Sequence, residues 1–266
     1  MRLEHPVRLD SHLIERGLGA RRVGRDVLCF DEVDSTNDVA FDSARQGNPD
    51  GLVVLAESQR RGRGRQGRQW LSPPGKNLLM SVLLTDPAGQ LAHDALTVAG
   101  GLAVAEGIEA ACPALACRLK WPNDVLLDGE KTAGVLVEIR QQAPGRCVVV
   151  GVGVNVNACP PPERVDHPAT SLAEQMGQSV ERIDVAREII RRLDEWVERV
   201  SRRDLADLHT RWVRRCGMIN QRVSVDSAGQ RYVGRVADVH PLEGLILFDD
   251  DGRRVHLPAE YSTLLH

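Results

Sequence analysis

A mixed α+β fold, one large sheet packed with helices and followed by a small barrel-like β domain, is what the sequence predicts, and three observations carry the prediction. Apolar runs at 51–56 (GLVVLA), 77–84 (NLLMSVLL) and 147–157 (CVVVGVGVNVN) read as buried strands. Leu96, Ala99, Leu102, Ala105 and Ile108, and again Ala186, Ile190, Leu193, Val197 and Val200, recur at the spacing of helices with one buried face. After Cys216 and Gly217 the composition shifts to short strands separated by GQ, EG and DDG turns. The expected units are a short N-terminal extension (1–26), a main domain (27–215) and a C-terminal β domain (216–266).

The chain has 266 residues, 42% of them hydrophobic, and a formal net charge of -3, which suits an ordinary enzyme of one large domain and one small one. A mildly acidic total argues against dedicated nucleic-acid binding. The start MRLEHPVRLD has no long apolar run, and no stretch elsewhere reaches the length of a membrane helix. The six cysteines form no CxxC pair and no metal-like grouping with histidine, so a cytoplasmic chain with free thiols is expected.

Taken in order, Leu9–Leu18 suggests one short helix closed by Gly17 and Gly19, too little for a DNA-binding module with its own core. A strand at Val27–Phe30 precedes DSTND, where Ser35 and Asp38 have the spacing of a capping box for a helix ending near Gly47. The helix 93–110 contains Gly100, Gly101 and Gly107, which weaken it intrinsically and predict close packing. A strand at 117–121 runs into WPND, and VLLDGEKTAGVLVEI reads as a hairpin turning at Asp128 and Gly129. Gly129, Lys131 and Thr132 superficially match the end of a phosphate-binding P-loop, but the glycine-rich lead-in and following helix are missing. Glycines at 151 and 153, inside a core strand, predict that something packs flat against them, a ligand ring or a neighbouring helix. Short helices over TSLAEQMG and through Leu205, Leu208 and Trp212 complete the main domain.

Five arginines and three glycines occupy the nine positions from Arg60 to Arg68, with Trp70 just beyond. Glycine lets a ligand approach the backbone and arginine offers a fixed fork for carboxylate or phosphate, so this loop suits an anion. A solvated surface loop and a single-stranded nucleic-acid groove are the alternative readings of the same residues. The remaining unusual polar positions are Ser35–Asn37, Lys120–Asp124 with Lys131, and Gly151–Asn155. They contain no serine-histidine-acid, cysteine-histidine or zinc arrangement. Positive charge, one acid and sites of close approach are the equipment for bringing two anions together and stabilising a phosphoryl intermediate.

At these stretches the sequence resembles the biotin protein ligase (biotin:[acetyl-CoA-carboxylase] ligase) family, through DSTND at 34–38, GRGRQGRQW at 62–70, KWPNDV at 120–125, EKTAGVLVE at 130–138 and GVGVNVN at 151–157. The resemblance covers about residues 27–215. It implies a class II synthetase-like catalytic domain, an SH3-like barrel for the final segment, and the monofunctional type without an N-terminal DNA-binding domain or repressor function. The implied reaction uses ATP, biotin and Mg2+: biotin is activated to biotinyl-5'-AMP and then passed to a lysine of a biotin carboxyl carrier domain of a biotin-dependent carboxylase.

By the same resemblance, Ser35, Thr36, Asn37 and Gln59 would meet the ureido head of biotin, with Gly62, Gly134, Gly151 and Val154 shaping its walls. Arg63 and Arg65 would grip carboxyl and phosphate oxygens, Arg68 would face the triphosphate, Trp70 would cover the adenine and Asn155 would bind a phosphate or ribose oxygen. Lys131 would contact the biotin carboxyl and the α-phosphate, with Lys120 and Asp124 where carrier lysine and phosphate meet. Asp124 would either hold Mg2+ with ATP oxygens or orient the incoming lysine. Lipoate ligase chemistry is the nearest alternative, and KWPND with GRGRQGRQW favours biotin. A carrier-binding protein without turnover is a second alternative, and the presence of every motif side chain speaks against it. No DNA or membrane partner is expected, and a monomer and a homodimer are both compatible with the chain.

Overall fold

The structure is a computed structural model that describes residues 7–142 and 145–265. Its elements run α1 (Ser11–Glu15), β1 (Val27–Val33), α2 (Thr36–Arg45), β2 (Val53–Gln59), β3 (Leu78–Asp86), α3 (His93–Ala111), β4 (Arg118–Lys120), β5 (Asp124–Leu127), β6 (Glu130–Gln142) and β7 (Gly145–Val154). There follow α4 (Leu172–Met176), α5 (Arg182–Ser201), α6 (Ala206–Arg215), β8 (Arg222–Ser227), β9 (Gln230–His240), β10 (Gly244–Asp249), β11 (Arg254–Leu257) and β12 (Ser262–Leu265).

The first seven strands form one sheet in the order β1-β2-β3-β7-β6-β5-β4, with β1 parallel to β2 and the other pairs antiparallel. The β5–β6 hairpin turns where expected, with both Asp128 (φ 48) and Gly129 (φ 83) left-handed, the geometry that matches the twist of the flanking strands. One face of the sheet is covered by α3, on which α5 packs; Val98, Leu102, Val135, Val150 and Ile189 belong to one buried cluster. The other face carries α2, whose Ala40 and Phe41 pack on Val54, Leu83 and Val149. The glycines of α3 serve the close packing that they predict. A Cβ on Gly107 would stand 2.6 Å from Ile189 Cγ1, and one on Gly100 would stand 2.9 Å from Val135 Cγ1.

The N-terminal residues do not stand apart from this core. Ile14 of α1 is fully buried, and the Asp194 carboxylate of α5 accepts the N–H groups of Arg21, Arg22 and Val23 at 2.9, 2.8 and 2.8 Å.

Two expectations need correction. Ser35 sits at the N-cap of α2 but makes no side-chain cap. The Gln59 side-chain carbonyl takes the Thr36 N–H instead, at 2.8 Å, and Asp38 turns outward to Arg63 and Arg140. The C-terminal sheet is not a barrel. Its five strands run β11-β10-β9-β8-β12, and among the described residues no sheet closes on itself. Closure needs the two edge strands to pair. Here β11 and β12 are four residues each, and the turn between them is drawn to the start of α3, where Asp94 Oδ2 accepts the Ala259 N–H at 2.8 Å.

Candidate active site

The register of the central strands lays out the site. Leu79, Gly153 and Gly134 stand in one row across β3, β7 and β6, and Ser81, Gly151 and Leu136 in the next. Directly paired residues share a face, so this part of the α2 side of the sheet carries two strips that are bare except at their ends. Their bareness has named causes. A Cβ on Gly151 would stand 3.0 Å from Asn37 Nδ2, and one on Gly153 would overlap the Trp70 ring. The partner expected at these glycines is therefore the chain itself: the start of α2 at one, an indole from the arginine-glycine loop at the other.

At the α2 end the polar groups are linked in series. Thr36 Oγ1 donates to Gln59 Oε1 at 3.0 Å, Ser81 Oγ lies 2.7 Å from Thr36 Oγ1 and 2.6 Å from Asn37 Oδ1, and Asn37 Nδ2 donates to Glu138 Oε2 at 2.6 Å. Ser35, Thr36, Asn37 and Ser81 are all buried. Such a series fixes which hydroxyls and amides are presented and in which orientation.

The arginine-glycine loop folds back on itself. Trp70 N–H donates to Gly62 O at 3.0 Å and Gly64 N–H to Arg68 O at 2.7 Å, around a turn at Arg65–Gly67. A Cβ on Gly62 would lie 2.6 Å from Trp70 O, so the fold-back requires glycine there. This fold-back lays the indole over Gly153 and Gly134, with Lys131 Nζ 5.8 Å from its ring centroid.

The charges divide into engaged and available groups. Arg63 is engaged: Nη1 and Nη2 donate to Asp38 at 2.5 and 3.0 Å, and Nη2 to Glu138 Oε2 at 2.9 Å. Hydrogen bonds from Arg63 hold the Asp38 carboxyl below its ordinary range, against the opposing effect of burial, and the Arg63 guanidinium is correspondingly harder to deprotonate. Lys131 Nζ pairs with Asp124 Oδ1 at 2.6 Å. Arg68 is exposed, with Asp166 at 3.8 Å. Arg65 and Lys120 are different. Burial lowers the pKa of each, the nearby Asp124 carboxylate only partly offsetting it, and among the described residues Arg65 donates only to neutral oxygens, of Asn123, Ala259 and Ser262. Asn155 donates to Thr170 O at 3.1 Å, while its buried Oδ1 has no partner among the described residues.

These groups surround a cavity of about 610 Å³, the size of a pocket for a small ligand or a pair of them. Ser35, Thr36, Asn37, Gln59, Arg63, Arg65, Arg68, Trp70, Lys120, Asp124, Lys131, Gly134, Gly151 and Asn155 line it. Gly62 and Val154 do not; Val154 is fully buried in the core under α3. Sequence reasoning missed Ser81, Glu138 and the C-terminal pair Thr263 and Leu264, which reach the cavity from the other sheet. Ser81 sits inside an apolar run and carries no local signal, and no pattern in the C-terminal strands points toward residue 65. Among the described residues no group of three or more histidine, cysteine or acidic side chains is arranged to hold a metal ion, and no helix is long and apolar enough to cross a membrane.

Residues 29–155 match the biotin/lipoate A/B protein ligase family. Over 261 residues the chain is 35% identical to the biotin--[acetyl-CoA-carboxylase] ligase of Mycobacterium tuberculosis, covering 94% of this chain and 92% of that protein. It is 34% identical over 191 residues to the bifunctional ligase/repressor BirA of Bacillus subtilis, covering 71% of this chain and 58% of that protein's length. Among solved structures, the biotin protein ligase from Aquifex aeolicus in complex with biotin and ATP superposes with a TM-score of 0.78 at 25% identity, covering 91% of this chain and 99% of the other.

Proposed function

The chain belongs to the biotin/lipoate A/B protein ligase family, and from that premise we propose that it is an ATP-dependent biotin protein ligase acting on a biotin carboxyl carrier domain. The observation that carries this reading is the cavity's polarity. One end presents a fixed polar series, the floor is bare glycine under an indole, and the other end holds Arg65, Lys120 and Lys131. A ureido head, an apolar bicycle with its chain, and a carboxylate that must meet a triphosphate have the same sequence of demands.

In this reading Thr36, Gln59 and Ser35 hydrogen-bond the ureido head, with Asn37 held beside them by Ser81 and Glu138. Lipoate has no ureido group to hydrogen-bond to that series, and a site built to hydrogen-bond a substrate group discriminates against an analogue that lacks it. The carboxylate oxygen of biotin attacks the α-phosphorus of ATP and the bond to the β-phosphate breaks, so pyrophosphate leaves with the electron pair. Two anions must approach for this step, and Lys131 and Arg65 supply the compensating charge. Lys131 reaches that position by exchanging its Asp124 partner for substrate oxygens, and Arg68 meets the distal phosphates. Asn155, through its unpartnered Oδ1, accepts from a ribose hydroxyl, and Trp70 covers the adenine. Magnesium would arrive with ATP, needs no more than one or two protein carboxylates, and has Asp124 as the candidate. In the second step the carrier lysine, once deprotonated, attacks the acyl carbon and AMP leaves. Asp124 stands beside Lys131 and Lys120 as the acceptor for that proton or as the group that orients the amine.

The test is mass spectrometry of a carrier domain incubated with this protein, MgATP and either biotin or lipoate. A biotin-sized gain that needs both ATP and biotin is the expected result; a gain only in the lipoate arm, or in neither, would sink the reading. Lys131→Ala should slow pyrophosphate release by roughly 10²–10³-fold, the usual loss on removing one donor to developing charge.

A further inference from the structure

The central arginine of the loop is held by the other sheet. Arg65 Nη2 donates to Ala259 O and, at 2.9 Å, to Ser262 O, while Nη1 reaches Asn123 Oδ1 at 3.4 Å. Every acceptor is neutral, so this guanidinium keeps its charge for an anion in the cavity that it lines. Its direction depends on where the two carbonyls stand.

That turn is fixed at both ends. Asp94, in the first turn of α3, accepts the Ala259 N–H through Oδ2 at 2.8 Å, and its Oδ1 lies 3.0 Å from His93 Nδ1. Ser262 Oγ donates to Ser227 Oγ at 2.9 Å, and Ala259 and Ser262 are both fully buried. Asp94 also attracts Arg65 electrostatically across the turn. The connection therefore runs from helix to turn to arginine to cavity, and Asp94 itself does not line the cavity. We propose that Asp94 is a positioning residue for Arg65: by fixing the 259–262 turn it holds the guanidinium in the cavity wall, so the C-terminal sheet sets how long the reactive acyl-adenylate is retained.

The inference rests on the biotin ligase reading for its consequence and on geometry alone for its cause, and one set of variants separates them. Full-length Asp94→Ala, Asp94→Asn, Arg65→Ala and the Asp94→Ala/Arg65→Ala double variant are compared with the parent. With biotin and MgATP, Asp94→Ala should release biotinyl-AMP into solution roughly fivefold faster, the scale of coupling between residues in one hydrogen-bond network, and should form it more slowly in the same direction as Arg65→Ala, because Arg65 also offsets charge in the first step. Asp94→Asn keeps an acceptor for the Ala259 N–H and should restore retention. The double variant should leak no faster than Arg65→Ala. A parent-like release rate in Asp94→Ala, a lowered melting temperature without faster release, or additive leakage in the double variant would overturn the proposal.

If the parent makes no adenylate, the biotin ligase reading fails by itself. Tryptic cleavage after Arg61, Arg65 and Arg68 in the unliganded protein then decides the positioning. Faster cleavage in Asp94→Ala that Asp94→Asn reverses supports it, and unchanged cleavage overturns it.

Discussion

Arg63 donates to both oxygens of Asp38 and to Glu138, and Glu138 also takes the Asn37 amide, so the loop and the start of α2 share one acid. The Arg63 hydrogen bonds are the largest influence on Asp38 and hold its folded pKa below the ordinary 3.8. The sign follows: the folded state favours the ionised form, so the stabilisation is complete above that ordinary value and is lost as pH falls through the lower folded one. Asp38→Asn should therefore lower the unfolding free energy measured in urea near neutral pH, by on the order of 0.5 kcal/mol because the side chain is partly exposed and screened. The gap between variant and parent should close in acid below the folded value; a gap that stays constant with pH would show that the carboxylate charge is irrelevant. At Gly153 the issue is space rather than charge. Gly153→Val would drive its side chain into the Trp70 ring and lift the indole from the floor. The expected outcome is a red-shifted tryptophan emission together with a large rise in KM for biotin, while Gly134→Ala, whose Cβ would sit 3.4 Å from the ring and from Lys131, should be much milder.

Helix α3 shows how far local pattern reaches. Its apolar period and its three interior glycines are legible, and so is the inference that something packs closely against them. Which glycine is indispensable is not, because that depends on where α5 and β6 cross it. The structure separates them: a Cβ on Gly107 would lie 2.7 Å from the Ile189 Cα, whereas one on Gly101 would meet Leu119 and Trp212 at an ordinary 3.8 Å. Gly101→Ala should stabilise by about 0.5–1 kcal/mol through helix propensity and a less flexible unfolded chain. Gly107→Ala has the same propensity gain but should be net destabilising, overpacking against backbone costing about 1–3 kcal/mol. Chemical unfolding of the two variants measures the sign of each. The same limit explains the strands. The apolar runs of β6 and β7 and the DG turn between β5 and β6 could be read locally, whereas the contact of Trp70 with Gly153 and of Ser81 with Asn37 could not. The expected C-terminal barrel failed for the same reason: short alternating strands are a local signal, but closure is a relation between the first and last of them, and Asp94 draws the 259 turn elsewhere.

At the scale of the molecule, the two sheets are joined through buried side chains as well as through Arg65. Val225, Val236, Leu245 and Leu257 of the C-terminal sheet belong to the same buried cluster as Leu102, Leu119 and Trp212 of the main domain. The cavity draws on both, since Thr263 and Leu264 line it together with Trp70 and Lys131. A ligand that fills it binds only when loop, main sheet and C-terminal strand are assembled, so its binding energy stabilises the whole rather than one part. At a hundredfold excess over Kd this amounts to about 2.7 kcal/mol, and for a chain of this size roughly 2–4 °C per kcal/mol. Calorimetry should show a single unfolding transition that moves up as a unit by about 5–10 °C with saturating biotin and MgATP. Two transitions, of which the ligands shift only one, would mean that the C-terminal sheet melts independently, and the contacts of Arg65 with Ala259 and Ser262 would then be too weak to link the sheet to the site.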